Sequence, residues 1–95
     1  MYNYFMLVGR VAEDFEVKTL SHDRKEALIN LSVGRDFKDM NGEYIYDIIP
    51  VVAYDFLAGL AADTLRNGSK VGVKGSIRIE KGKTLLVAER IIYFE

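Results

Sequence analysis

Apolar and polar residues alternate with a period of two over most of this chain, and that alternation predicts strands. Tyr4 to Val11 reads as a first strand, with Gly9 placed where a side chain would crowd a bend or a crossing backbone, and Arg10 projecting from its end. Phe15, Val17 and Thr19 then alternate with Asp14, Glu16 and Lys18, so the strand is expected to continue through a bend to Leu20. Ser21 to Glu26 is polar and reads as an exposed hairpin loop. Ala27 to Val33 is the second strand, with Ile29, Leu31 and Val33 on one face and Leu28, Asn30 and Ser32 on the other.

A turn and a long third strand follow, and the rest of the chain is organised around them. Asn41-Gly42 predicts a type I′ hairpin turn, because both residues tolerate positive φ. The strand runs to Tyr54 and separates Ile45, Asp47, Ile49, Val51 and Ala53 from Tyr44, Tyr46, Ile48, Pro50, Val52 and Tyr54, with Pro50 marking an edge or a bulge. At Asp55 the period changes. Phe56, Leu57, Leu60, Ala61 and Leu65 recur at helical spacing, Asp55 can cap the N-terminus, and Asn67-Gly68 can end the helix. In the fourth strand, Lys70 to Ile79, alternation turns Val71, Val73, Ile77 and Ile79 inward and Lys70, Lys74 and Arg78 outward. Glu80 to Lys83 is a short turn and Thr84 to Phe94 the fifth strand.

Strand, strand, strand, helix, strand, strand is the element order of an all-β OB-fold. In that five-stranded Greek-key barrel the single helix lies between the third and fourth strands, and the second and third strands form the usual ligand face. The 95 residues are expected to make a single OB-fold domain, residues 1–95, with 49% hydrophobic residues for one modest core. Without cysteine there is no disulfide framework and no thiolate metal site. The one histidine, His22, lies in a polar loop without a nucleophile–base partner, so neither an enzyme nor a metal or cofactor site is expected. No apolar run is long enough to span a bilayer, and the N-terminal apolar run has no basic n-region and no small-residue cleavage site, so a cytoplasmic protein without a membrane partner is expected.

Net charge is −1, but it is unevenly spread. Residues 1–65 carry six basic and eleven acidic side chains, whereas residues 66–83 carry Arg66, Lys70, Lys74, Arg78, Lys81 and Lys83 against Glu80 alone. A local basic stripe can guide a phosphate backbone on a slightly acidic protein, since salt screens opposing charges beyond roughly 10 Å. The same stripe can equally be a solvated sheet face. Arg35 and Lys38 bracket Phe37 near the hairpin tip, a combination suited to stacking a base and pairing its phosphates, although Phe37 can also tuck under its own loop. Tyr44, Tyr46 and Tyr54 either offer a stacking platform or pack against a neighbouring strand or subunit.

Five segments resemble the bacterial-type single-stranded DNA-binding proteins: LVGR (Leu7 to Arg10) followed by Glu13-Asp14, LSVGRDFKDMNGE (Leu31 to Glu43), VVAY (Val51 to Tyr54), LRNGSKVGVKGSI (Leu65 to Ile77) and VAERIIYFE (Val87 to Glu95). The resemblance implies sequence-tolerant binding and protection of single-stranded DNA in replication, recombination or repair. It also implies a homo-oligomer, a tetramer built as a dimer of dimers or a dimer, with the first strand near a two-fold axis. Phe37 and Tyr54 match family aromatics, while Ile48 stands where the family often has Phe or Trp. The loop between the last two strands is shorter than usual and lacks an aromatic. Members of the family usually carry a flexible acidic tail, and here the sequence stops at the barrel: either this is a trimmed core, or the protein binds DNA without that recruitment function. The residues expected to meet nucleic acid are Arg10, Arg35, Phe37, Lys38, Tyr44, Tyr46, Tyr54, Lys70, Lys74, Arg78, Lys81 and Lys83. The alternatives are a primosomal B-type replication accessory protein of the same fold, or an OB module that uses its tyrosine face to bind proteins.

Overall fold

The structure, a computed structural model, describes residues 1–94. Glu95, the last residue of the resemblance, lies outside the described residues. The strands are β1 (Phe5–Val11), β2 (Val17–Thr19), β3 (Lys25–Lys38), β4 (Tyr44–Tyr54), β5 (Lys70–Glu80) and β6 (Lys83–Phe94), with one helix, α1 (Phe56–Thr64), between β4 and β5. Antiparallel pairing joins β1 to β5, β5 to β6 and β3 to β4. Two short contacts close the ring: the end of β1 meets β3 at Arg10↔Ser32 and Val11↔Leu31, and β4 meets β6 in parallel at Val52↔Val87. The five long strands form the expected OB-fold barrel.

The expected continuation of β1 as far as Leu20 is not observed. Ala12 N–H donates to the Asn30 carbonyl, the chain then leaves the ladder, and only Val17–Thr19 re-enters as a separate short strand beside β3. Gly9 explains the close approach at the closure. A Cβ there would stand 2.4 Å from the Ser32 carbonyl oxygen of β3, which crosses at that point.

Alternation fills the barrel as the sequence predicts on β3 and β4, where Ala27, Ile29, Leu31, Val51 and Ala53 are buried, as are Val71 and Val73 of β5. Burial of each large aliphatic among them contributes about 1.5–3 kcal/mol. Ile77 and Ile79 do not join them. They are 40% and 67% exposed: past the Ser76↔Val87 pair, where β6 still meets β4, the β5–β6 hairpin extends away from the barrel, and although Leu86, opposite Ile77, packs against the core, both isoleucines stay largely outside it.

The helix covers the barrel with its small residues. Ala58, Ala61 and Leu65 are buried against the strands, whereas Phe56, expected in the apolar stripe, is 79% exposed and Leu60 lies at the rim. Asp55 does not cap through its side chain; its φ of 51° and ψ of −116° turn the carboxylate back toward β3. Gly68 adopts positive φ within the Arg66–Ser69 turn after the helix, not at its end.

The type I′ turn expected at Asn41-Gly42 is not observed there. At the β3–β4 tip only Gly42 has positive φ, and the Asp39 carboxylate accepts the Asn41 and Glu43 N–H groups at 2.8 and 2.9 Å. The type I′ signature appears instead at Lys81 and Gly82, with φ of 51° and 76°, between Glu80 and its register partner Lys83. Pro50 pairs with Asn30 on one side, and β6 meets β4 only at Val52, so the proline does lie on an open edge.

Candidate nucleic-acid interface

The outer face of β4 carries Tyr44, Tyr46, Ile48, Pro50 and Tyr54 on alternate residues. Tyr44, Tyr46 and Ile48 are each about 60% exposed (65, 62 and 58%), and the row extends onto β3 through Leu28, opposite Val52. Eleven residues of strand make a track of about 35 Å at ~3.3 Å per residue. The Tyr46 ring rests over Gly34, whose absent side chain makes room for it, a Cβ there standing 3.3 Å from the ring.

At the hairpin end of the track, Lys38 pairs with Tyr44 in register and holds its ammonium 4.7 Å from the ring centre. Phe37, one residue away, is exposed and does not tuck under its loop. Arg35 is placed differently from its sequence-based expectation. It turns to Asp47 and forms a two-bonded ion pair, so its charge is already matched. Those bonds hold the Asp47 carboxyl below the ordinary range and raise Arg35 further.

At the other end Tyr54 borders a 320 Å³ cavity with Leu20, Ser21, His22, Arg24, Arg78 and Glu80. Partial burial, then Glu26 and Glu80, raise the Tyr54 phenol above its ordinary range, with Arg78 and Arg24 opposing them. Lys81 and Lys83 are exposed at the tip of the β5–β6 hairpin. Glu13, Asp14, Glu16 and Glu26, with Lys18 among them, line a hollow beside Leu28 and Asn30, so this β3 flank of the track is net acidic, whereas the β5–β6 flank carries Arg78, Lys81 and Lys83 against Glu80. A polyanion on this face is therefore drawn toward the β5–β6 side.

The rest of the expected basic stripe lies elsewhere. Lys70 and Lys74 sit on the outer side of β5, with Lys70 5.8 Å from the Phe94 ring and Lys74 5.8 Å from the Tyr4 ring. Arg10 is opposite Lys70 in register and donates to the Gly68 carbonyl. Met6 and Val8 are exposed between these cations. The stripe is thus split, with Arg78 beside Tyr54 and Lys70, Lys74 and Arg10 on an apolar face of β1 and β5.

Arg24 was absent from the sequence-based set, yet its guanidinium carbon lies 5.5 Å from the Tyr54 ring centre. The signal available was a cation one residue before a strand that pairs with the aromatic strand.

The family model of the single-strand binding protein family matches residues 2–87. The chain is 34% identical over 94 residues to the single-stranded DNA-binding protein of Streptococcus pneumoniae (strain TIGR4), covering 94% of this chain and 60% of that protein. It is 33% identical over 94 residues to single-stranded DNA-binding protein B of Bacillus subtilis, covering 94% of this chain and 83% of that one. Against several of these relatives the chain thus spans about 60% of their length. The crystal structure of a small single-stranded DNA-binding protein from Streptomyces coelicolor superposes with a TM-score of 0.74 over 99% of this chain and 95% of that one, at 20% identity, a likeness of fold.

Proposed function

The chain belongs to the single-strand binding protein family, and from that premise we propose that it binds single-stranded DNA along the outer face of β4, serving replication, recombination or repair. The observation that carries this reading is the exposed row Tyr44, Tyr46 and Ile48, ending at the partly buried Tyr54, with cations at both of its ends. Bases stack on the rings, Phe37 included, while Lys38, Arg78, Lys81 and Lys83 follow the phosphates. Stacking accepts any base, and binding is accordingly tolerant of sequence. A track of this length suits the roughly 4–16 nucleotides that one OB barrel engages.

The outer face of β1 and β5 favours self-association. Tyr4, Met6, Val8 and Phe94 leave apolar surface exposed there between Lys70, Lys74 and Arg10, which fits a homo-oligomer with β1 at its interface. Arg10, Lys70 and Lys74 then flank the interface and reach DNA only where a strand passes from one barrel to the next.

Anisotropy of a labelled dT oligomer, titrated at several salt concentrations, tests the binding. Affinity that falls linearly in log–log form with salt supports phosphate neutralisation. No association at low salt would overturn the reading. Light scattering of the free protein reports the oligomer.

A further inference from the structure

We infer that Asp55 and Arg24 form a built nucleotide subsite at the Tyr54 end of the track, in which Asp55 is a positioning residue and Arg24 a phosphate contact. The inference rests on the single-stranded DNA reading and adds to it a residue pair that the alternation of the sequence does not reveal.

The geometry has three parts. Arg24 turns its Nε toward Asp55, 3.1 Å from Oδ1 and 2.8 Å from Oδ2. Its two terminal nitrogens make no hydrogen bond among the described residues, while the guanidinium stands over Tyr54 at 5.5 Å. Fixing the inner nitrogen leaves the outer two free to donate to an anion beside a stacked base.

The second part is the backbone of Asp55. Its φ of 51° with ψ of −116° is a conformation suited to glycine, yet an aspartate occupies it. The residue is held by its N–H donating to the Lys25 carbonyl at 2.8 Å and by Oδ1 accepting the Lys25 N–H at 3.1 Å. A side chain kept in a glycine conformation points to a use for its carboxylate, and the group it meets is Arg24.

The third part is the wall of the cavity. Leu20 N–H donates to the Arg24 carbonyl at 2.6 Å, closing the Ser21–Asp23 turn so that His22 and Arg24 line the same 320 Å³ space as Tyr54 and Arg78. That is at the small end of the ~300–1,000 Å³ of ligand pockets and suits one nucleotide. The base lies on Tyr54, and its phosphate is met by Arg24 from the β3 side and by Arg78 from the β5 side.

The test is a double-mutant cycle on dT oligomer affinity and its salt slope. Arg24→Ala should weaken binding roughly tenfold, the scale of one charge-assisted contact, and make the slope shallower by about 0.7. Asp55→Gly suits the backbone but removes the carboxylate. It should weaken binding comparably in the wild-type background and add nothing in the Arg24→Ala background. Asp55→Asn, which raises the net charge, should also weaken it.

Arg24→Ala with unchanged affinity and slope would overturn the subsite while leaving DNA binding elsewhere on β4 intact. Equal losses from Asp55→Gly in both backgrounds would make Asp55 merely structural and overturn the positioning role. Wild-type protein that fails to bind dT at all would instead remove the reading on which the subsite rests. Circular dichroism of each variant establishes that it is folded.

Discussion

Arg35 reaches across the β3–β4 hairpin to Asp47 with two parallel hydrogen bonds, Nε to Oδ2 at 2.9 Å and Nη2 to Oδ1 at 3.0 Å. The pair lies in the stretch where Gly34↔Tyr46 gives way to Lys38↔Tyr44, so it braces a ribbon whose ladder is interrupted. With Nε and Nη2 both on the carboxylate the Arg35 fork is occupied, unlike that of Arg24, whose ion pair uses Nε alone, so Arg35 contributes little to phosphate neutralisation. Arg35→Ala should therefore leave the salt slope of dT binding unchanged, whereas Lys38→Ala should make it shallower. Equal changes in slope for both variants would show that Arg35 exchanges Asp47 for DNA.

The same pair sets a pH dependence. The Arg35 hydrogen bonds hold the Asp47 carboxyl below its ordinary value, so the folded state binds that proton less readily than the unfolded chain. The pairing contributes stability above the ordinary carboxylate range, near pH ~3.9, and that contribution is lost as pH falls through the lower folded value. Melting of wild type and Asp47→Asn across acidic pH should therefore converge as pH falls. A constant difference between them would show that the ion pair contributes nothing.

Stacking should be measurable ring by ring. Tyr44→Ala, Phe37→Ala and Tyr54→Ala should each weaken dT binding by about 1–3 kcal/mol while the fold is retained. Tyr44 and Phe37 are exposed, so little packing is lost there, whereas Tyr54 is partly buried and circular dichroism must establish that its variant is folded. Quenching of tyrosine fluorescence on adding dT checks the contact. Unaltered affinity in all three folded variants would place DNA on another face.

Much of this architecture is legible in the sequence because β-alternation has a simple physical cause, burial of one face. It located β3, β4 and the start of β5, and Asn41-Gly42 correctly marked a hairpin. Alternation fails where the barrel ends: Ile77 and Ile79 keep the inward parity of Val73 but stay largely outside the core. Arg24 was hidden by register. Counting back from Lys38↔Tyr44 without interruption places Leu28 opposite Tyr54, but Arg35, Asp36 and Phe37 together face Ile45, and the observed partner is Glu26. That two-residue offset brings Arg24 beside the ring. A bulge of this kind depends on tertiary fit, and no local pattern announces it.

Two glycine substitutions should act in opposite directions. In Gly9→Ala the new methyl meets the Ser32 carbonyl at 2.4 Å, a backbone atom that cannot rotate away, so β1 and β3 must separate at the closure. A loss of about 1–3 kcal/mol is expected, the scale of overpacking. Gly59 lies within α1 with nothing inside 4 Å of the added carbon, and Gly59→Ala should stabilise by roughly 0.5–1 kcal/mol. Thermal unfolding decides both. Equal shifts of the same sign would mean that closure does not depend on the Gly9 contact.

Lys74 and Arg78 share one face by strict alternation, yet the structure gives them different surroundings. Arg78 borders the Tyr54 cavity, where a strand on β4 would pass, whereas Lys74 lies over Tyr4 beside exposed Met6. Arg78→Ala should make the dT salt slope shallower by about 0.7, the value for one phosphate contact on a single strand. Lys74→Ala should leave the slope for a short oligomer unchanged. Because Lys74 flanks the apolar patch on β1, its substitution should instead shift the oligomer equilibrium, as should Met6→Lys more strongly, since it would bury a second cation directly opposite Lys74. Light scattering over a dilution series reads that shift. A long oligomer adds a further discrimination, because a strand that crosses between barrels can meet Lys74, and the variant then loses affinity that the short oligomer does not report. If Lys74→Ala and Arg78→Ala change the short-oligomer slope equally, the basic stripe acts as one surface, and the division of this molecule into a binding face and an assembly face fails.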